Sequence, residues 1–271
     1  MNVTVRAPAT TANLGAGFDC AAVALDLWNE VVITDGGTPD RTHLGVRAYE
    51  RIDPADGLKF EWFDRIPRER GLGSSAAVIA LGLVAAAHVA DRDPDPEWLL
   101  REGLPLEGHA DNLAAALAGG ACLTVGGHIH RVADSVPAVP LALVPESTVD
   151  TAEARASLPE EIPLGDAVFS VGRAALLGAG LASGSEEAFA AALNDRLHEP
   201  YRAENAPLLG EVRDDLPAGA LGATISGSGP TVIVWADPHH AKECSVELSN
   251  RFPDVEVLWL STSAKGAELA R

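Results

Sequence analysis

The chain has little of several things that would announce a function. Lysine is scarce: only Lys59, Lys242 and Lys265 occur among 20 basic residues, so no lysine stands in any glycine-rich stretch. Cysteine is limited to Cys20, Cys122 and Cys244, an odd number with no CxxC spacing, which argues against a disulfide framework or a zinc site. Aromatic residues make up 5% of the 271, so the core must be built from Ala, Leu and Val within a 47% hydrophobic composition. The uninterrupted apolar run from Ala76 to Ala87 falls short of the ~20 residues that span a bilayer. "MNVTVRAPA" has strand-like alternation and no apolar h-region, so a signal peptide is not expected and a reducing cytoplasm is. Positive charge is also missing: the formal net charge is -19. That field repels nucleic acid and anionic membranes, and any phosphate site has to be supplied locally by amides, arginines or a metal ion.

What is present is an alternation of strand-like and helix-like segments. "VTVRAPA" and "LWNEVVIT" read as strands, separated by the Gly/Asn-rich turn of "TTANLGAGFDCAAVAL", and "LKFEWF" is a further strand. "RIPRERGLG" leads into an Ala-rich helix from about Ser74 to Val89, and "DRDPDPEWLLREG" opens another helix after a proline-marked break. "ADNLAAALAGG" reads as a helix ending at Gly119-Gly120, with "ACLTV" and "LALVPE" as strands beyond it. The acid- and proline-rich stretch from Ser147 to Gly165 suggests a boundary, giving lobes 1–148 and 149–271. Helices over Asp166–Ala182, Glu186–Leu197 and Ala206–Asp214 follow. The strand-loop-strand "GALGATISGSGPTVIVWA", a helix in "PHHAKECSVELSNRF" and a last strand "VEVLWLS" complete an α+β or α/β protein of two lobes.

Three short motifs carry chemistry. In "GLGSSAA", Gly71 and Gly73 allow close backbone approach at a helix start, where free N–H groups and the helix dipole suit a phosphate. The stretch is neither a Walker A loop nor G-x-G-x-x-G, and a serine N-cap on a core helix would use the same residues. "SGSGP", Ser226 to Pro230, sits between two strands of strong β-branched character and taken alone reads best as a hairpin turn. "ANLGAGFD" places Asn13 and Asp19 around two glycines, where they could cap the turn or hold a small polar ligand. His128 and His130 form an HxH on one face of a strand with no third ligand in sight, so a surface hairpin is the better reading. His239-His240 opens a surface helix.

Taken together, "PATTANLGAGFD", "RGLGSSAA" and "ISGSGPT" resemble, in order and approximate spacing, the three motifs of the GHMP small-molecule kinases. Within that superfamily "EGHADNLAAALAGG", "TAEARASLP", "VGRAALLGAGLA" and "LHEPYR" are similar to segments of the homoserine kinases. The resemblance implies an α+β, two-lobed GHMP kinase fold. Its N-terminal lobe would be ribosomal-protein-S5-domain-2-like and hold motifs 1 and 2. Its C-terminal lobe would be ferredoxin-like and hold motif 3 and the substrate arginines. It further implies ATP-dependent phosphorylation of the side-chain hydroxyl of L-homoserine, in threonine biosynthesis, with ATP and Mg2+, and allows a homodimer. Another small alcohol (threonine, a homoserine analogue or an isoprenoid precursor) and a non-catalytic metabolite sensor on the same fold remain as rivals. Ala16 and Ala110 stand where proline is usual in the family, and the region from Gly36 to Lys59 is short for it.

By the same resemblance, Gly71, Leu72, Gly73, Ser74, Ser75 and Ala76, with Ser226, Gly227, Ser228 and Gly229, belong to the nucleotide site. Ser75 and Glu107 would hold magnesium, with Glu102 as the alternative carboxylate. Arg155 and Arg202 would bind the substrate carboxylate, since a guanidinium meets it bidentately. Asn13 and Asp19 would meet the ammonium and hydroxyl, and His109 would sit at the substrate edge unless it caps a helix. Asp19, Asn112 and Ser75 are the catalytic candidates. Several relatives place an aspartate where Asn112 stands. An amide is no useful base near neutral pH, so transfer without a dedicated base is expected. Asp111 is its neighbour, but on a helix it would point ~100° away.

Overall fold

β-branched residues alternating with small ones keep the chain extended over its first 35 residues. The structure, a computed structural model, describes residues 1–270. Strand β1 (Asn2–Asn13) turns at Leu14–Ala16 and pairs antiparallel along almost its whole length with β2 (Gly17–Asp35). The apolar segment after the first motif is therefore part of a long strand, bent by register shifts at Pro8/Ala9 and Ala12/Asn13. β3 (Leu58–Phe63), β4 (Ala121–Val125), β5 (His128–Ala133) and the C-terminal β10 (Glu268–Leu269) complete this sheet, in order β10-β1-β2-β4-β5 with β3 also on β2.

Four helices cover one region of the N-terminal lobe: α1 (Leu44–Tyr49), α2 (Ser74–Val89), α3 (Pro96–Glu107) and α4 (Ala110–Ala118). All side chains of α2 from Ala76 to Ala87 are buried, so this helix is apolar all round and sits inside the core rather than on it. Its small residues permit close approach: a Cβ on Gly82 would lie 2.2 Å from the Gly45 carbonyl of α1. Ile79, Leu81 and Leu83 are each fully buried and each contributes about 1.5–3 kcal/mol of burial free energy. The helix is thereby a rigid support for whatever its first turn presents.

The second sheet holds β6 (Val139–Val144), β7 (Ala220–Ile225), β8 (Val232–Ala236) and β9 (Glu256–Trp259), in spatial order β7-β8-β6-β9. Between them run α5 (Thr151–Ala156), α6 (Leu164–Ser183), α7 (Glu186–Ala192), α8 (Glu199–Arg202) and α9 (Leu208–Asp214), with α10 (Ala241–Arg251) before β9. The order β6-α6-β7-β8-α10-β9 on an antiparallel sheet is the ferredoxin-like β-α-β-β-α-β arrangement, as expected. The sheets do not divide at residue 148, however. β6 lies before that point yet belongs to the second sheet, and β10 returns from the C-terminal end to pair with β1. The helix expected over Glu186–Leu197 stops at Ala192, and a separate turn of helix, α8, begins at Glu199. α6 has 20 residues and a mean hydropathy of 1.3, long and apolar enough to cross a membrane by those measures, which the sequence reading missed. Here it packs against α7, burying Leu177, Gly180 and Leu181.

Candidate active site

A cavity of about 240 Å³ opens where the three glycine motifs meet. Its first wall is the start of α2. Gly73 is the N-cap, in left-handed conformation at φ 66°, and no side chain caps the helix. The serine cap that sequence alone allowed is thus not formed. The first intrahelical bond is Ala77 N–H to the Gly73 carbonyl, 2.9 Å, and the N–H groups of Ser74, Ser75 and Ala76 have no protein acceptor among the described residues. Glycine is required at both loop positions. A Cβ on Gly73 would lie 1.8 Å from Thr10 Oγ1, and one on Gly71 would lie 2.2 Å from the Ser226 carbonyl.

Freed from capping, the Ser75 hydroxyl lies 2.9 Å from both carboxylate oxygens of Glu107 at the end of α3. Both residues line the cavity. Burial pushes the Glu107 carboxyl up to about 7, the Ser75 hydrogen bond working against that rise and the nearby Asp111 charge adding to it. Glu102 is elsewhere: it pairs with Arg51 at 3.1 Å and does not line the cavity, so of the two candidate carboxylates only Glu107 faces it.

The opposite wall is set by the first motif. Asn13, Leu14 and Gly15 run through three consecutive positive φ values (75°, 45° and 73°), which throws the loop back on itself. Asn13 Oδ1 accepts the Asp19 N–H at 3.0 Å, and its Nδ2 donates to the Gly227 carbonyl at 2.8 Å. Asp19 Oδ2 accepts Arg155 Nη1 at 2.8 Å and is also bonded by Nη2. Arg202 is 4% exposed; it donates through Nη1 to the Gly227 carbonyl at 3.0 Å and through Nε to the Ala154 carbonyl at 3.4 Å. Its Nη2 has no protein partner among the described residues and faces a cavity that both arginines line.

The start of α4 supplies the remaining polar groups. His109 occupies the N-cap position without making a cap bond, so its ring belongs to the cavity rather than to the helix. Asn112 Oδ1 accepts the Thr10 hydroxyl at 2.7 Å, which leaves its amide hydrogens as the groups it can offer a ligand. Asp111 was excluded on helical spacing, and that exclusion fails: both residues line the cavity. They sit in the first turn of α4, where the helix end meets the cavity and a ~100° separation still leaves both side chains on its wall. Asp111 is 4% exposed, accepts the Asn112 N–H at 2.7 Å, and has its carboxyl raised by burial.

Of the sequence candidates, Asn13, Asp19, Gly71, Gly73, Ser74, Ser75, Glu107, His109, Asn112, Arg155, Arg202, Gly227 and Ser228 line one cavity. Leu72, Ala76, Ser226 and Gly229 do not line it. Leu72 and Ala76 are buried in the core and could offer only backbone, and Ser226 Oγ is engaged with Thr11 Oγ1 at 2.9 Å and the Gly71 carbonyl at 2.6 Å. Ser226 therefore ties the third motif to the first two. The three cysteines are free thiols and none lines the cavity. His128 lies 3.4 Å from Glu97, and no metal-holding cluster of three or more His, Cys, Asp or Glu occurs among the described residues.

Comparison with known proteins agrees with this geometry. The GHMP kinases N terminal domain matches residues 43–120 and the GHMP kinases C terminal domain matches residues 176–254. A homoserine kinase of Trichormus variabilis is 35% identical, the alignment covering 94% of this chain and 93% of that protein. The chain belongs to the GHMP kinase family. A homoserine kinase of Desulfitobacterium hafniense is 38% identical, with 90% of each protein covered. Among solved structures, that of a homoserine kinase from Cytophaga hutchinsonii superimposes with a TM-score of 0.88 at 27% identity, covering 99% of this chain and 97% of the other. A mevalonate kinase of Methanococcus jannaschii superimposes with a TM-score of 0.73 at 15% identity, a likeness of fold alone. GHMP kinases transfer phosphate from ATP, so the open first turn of α2 has a ligand of the right charge.

Proposed function

We propose that this chain phosphorylates the side-chain hydroxyl of L-homoserine with ATP, yielding O-phospho-L-homoserine for threonine biosynthesis. The observation that carries the reading is the pairing, across one cavity, of free N–H groups on α2 with two arginines beside two carboxylates. One end suits polyphosphate and the other suits a zwitterion. Arg155 and Arg202 are the groups an amino-acid carboxylate needs, and a neutral alcohol would leave them unused. Asp19 and Asp111 face the same space and suit the ammonium. Asn112, its oxygen already engaged, offers N–H to the reacting hydroxyl.

The Ser75 hydroxyl and Glu107 carboxylate are hard oxygen donors side by side at the phosphate end, a set that fits Mg2+ completed by phosphate oxygens. Bound there, Mg2+ would neutralise the charge of the transferring phosphoryl group. The protein's own share is positioning: the α2 amides fix the donor, and the arginines and Asn112 fix the acceptor, which is where such a reaction gains most. Asp19 Oδ2 is held by Arg155, which suits a binding role. The reading is transfer without a dedicated base, which an Asp19→Asn variant with normal homoserine affinity and no turnover would refute.

ATP consumption with L-homoserine, L-threonine, mevalonate and galactose tests the assignment, and turnover on a non-amino-acid alcohol alone would sink it. Division into residues 1–148 and 149–271 is kept as the proposed lobe boundary, with β6 and β10 exchanged across it. A cytoplasmic location goes with this reading, supported by the ATP-dependent step and consistent with three free thiols. Leu164, Val168 and Val171 form an outward apolar stripe on α6, and we assign it to a homodimer contact. A Val168→Glu variant that keeps the wild-type mass by light scattering would refute that.

A further inference from the structure

A buried charged network lies behind the carboxylate-binding arginines, and the chemistry above uses none of it. Asp195 has no exposed side-chain surface. Its Oδ2 accepts the N–H groups of Leu197 at 2.8 Å, His198 at 2.6 Å and Glu199 at 3.1 Å, which fixes the start of α8. Its Oδ1 accepts the Ser170 hydroxyl at 3.1 Å. His198 is fully buried at the centre of this arrangement.

The imidazole touches three functional elements at once. Its Nε2 lies 3.0 Å from the Gly15 carbonyl of the first motif, an atom that can only accept, so Nε2 carries the proton. Its Nδ1 lies 3.5 Å from Arg202 Nη1, an atom that can only donate. The ring stacks on Phe18 with centroids 4.9 Å apart, and the same Phe18 lies under the Arg202 guanidinium at 5.2 Å. One neutral tautomer satisfies both ring nitrogens, and an imidazolium would set a second N–H against the arginine. Burial agrees with that assignment, pulling His198 down to about 4, with the Arg202 charge adding to the fall and Asp195 opposing it. Asp195 is 3.7 Å from Nε2, but it already accepts from three backbone N–H groups and a serine hydroxyl.

We infer that His198, as the neutral Nε2–H tautomer, is a positioning residue for substrate carboxylate recognition. It acts through Arg202, by holding that guanidinium between its own Nδ1, the Gly227 carbonyl and the Phe18 face so that Nη2 is left free toward the cavity. The role follows from connectivity. Arg202 is anchored at Nε by the Ala154 carbonyl and at Nη1 by the Gly227 carbonyl, both long or shared contacts. The imidazole adds the lateral stop that keeps the plane of the guanidinium from rotating toward the first motif. Without it, the aim of the Nη2 donors toward a carboxylate is lost while net charge in the site is unchanged.

The inference rests on the homoserine reading, and the test separates the two. Steady-state kinetics with L-homoserine and ATP are compared for wild type, His198→Phe, His198→Asn and His198→Gln, alongside thermal melting of each. Phe keeps ring and stacking but loses both polar contacts. Asn keeps an acceptor at the Nδ1 position, and Gln keeps a donor toward Gly15 without that acceptor. The expected result is a homoserine KM raised about tenfold in His198→Phe, equivalent to about 1.4 kcal/mol. The kcat should stay within about threefold and the ATP KM should not move. His198→Asn should recover most of the loss and His198→Gln should not, whatever their melting temperatures; where the Phe variant does not fold, the Asn–Gln pair decides. A loss in kcat at unchanged KM, an equal rise in the ATP KM, or an Asn variant no better than Gln overturns the positioning role. Absence of homoserine turnover in the wild type overturns the function and this inference with it.

Discussion

Glu107 makes the phosphate end of the cavity pH-sensitive in a way that can be calculated. Its carboxyl is raised from an ordinary 4.5 to about 7, because burial penalises the ionised form more than the Ser75 hydroxyl repays it. Between those two values the folded protein holds a proton that the unfolded chain has released. Stability therefore falls as pH rises through the window, is fully retained below about 4.5, and levels off above about 7. A shift of that size corresponds to about 3 kcal/mol between the two plateaus. Replacing Glu107 by Gln, which resembles the protonated acid, removes the slope. Urea unfolding without metal at pH 5 and pH 8 is the assay. Glu107→Gln should match wild type at pH 5 within about 1 kcal/mol and exceed it by about 3 kcal/mol at pH 8. The Glu199 carboxyl is also raised to about 7 by burial and the Asp111 carboxyl is raised by burial as well, and the wild-type slope contains all three groups. Only the difference between the two proteins isolates Glu107. A variant that shifts stability equally at both pH values would refute the reasoning, since its effect would then be packing and not charge. Activity should move the opposite way, because a metal ligand must be ionised. The ionised fraction rises from about a tenth at pH 6 to about nine-tenths at pH 8, and Glu107→Gln should lose Mg2+-dependent turnover throughout.

Gly73→Ala places a methyl group against Thr10 Oγ1 in a left-handed residue, so a loss of about 2–4 kcal/mol in denaturant stability is expected, together with a raised ATP KM. Arg155→Lys keeps the charge and loses the fork, and it should raise the homoserine KM at least about tenfold in steady-state assays while leaving the ATP KM in place. Phe189→Ala removes a fully buried ring packed edge-on to Trp235 at 5.2 Å and should cost about 3–5 kcal/mol in thermal or urea unfolding, with catalysis per folded molecule unchanged.

Much of this site was legible because its chemistry is local. Gly71, Gly73 and Ser75 announce a tight approach at a helix start, and the helix from Ser74 to Val89 falls where its composition puts it. What composition could not decide was whether the serines cap that helix, since N-cap and open N-terminus use the same residues. The tie is broken by Glu107, 32 positions away, which draws off the Ser75 hydroxyl. Asp111 was lost for a related reason: helical spacing gives directions around an axis, whereas exposure to a cavity depends on where the helix begins. The exchange of β6 and β10 between the sheets was illegible for a third reason. β6 is short and apolar and β10 is only the two residues Glu268–Leu269, so only long-range pairing assigns them a partner. His198 was visible only as part of "LHEPYR", because its contacts with residues 15 and 18 come from far along the chain and give it a role only in the fold.

The Gly227 carbonyl accepts from Asn13 Nδ2 on one side and from Arg202 Nη1 on the other. One peptide oxygen is thus a common datum for the first motif and for the anchor of the substrate carboxylate. The adjoining Ser226 hydroxyl donates to the Gly71 carbonyl at 2.6 Å, so on the proposed reading two neighbouring residues of the third motif fix the gap between Arg202 and the phosphate end on α2, and that gap does not stretch to suit a shorter substrate. The site behaves as a ruler. Serine, one methylene shorter than homoserine, would hold its hydroxyl about 1.5 Å short of the donor when its carboxylate is seated. A misplacement of that order costs a factor of about a hundred in rate. On the proposed reading, selectivity between two hydroxy amino acids with identical head groups is then a matter of length, set by the Gly227 carbonyl together with the Ser226 hydroxyl.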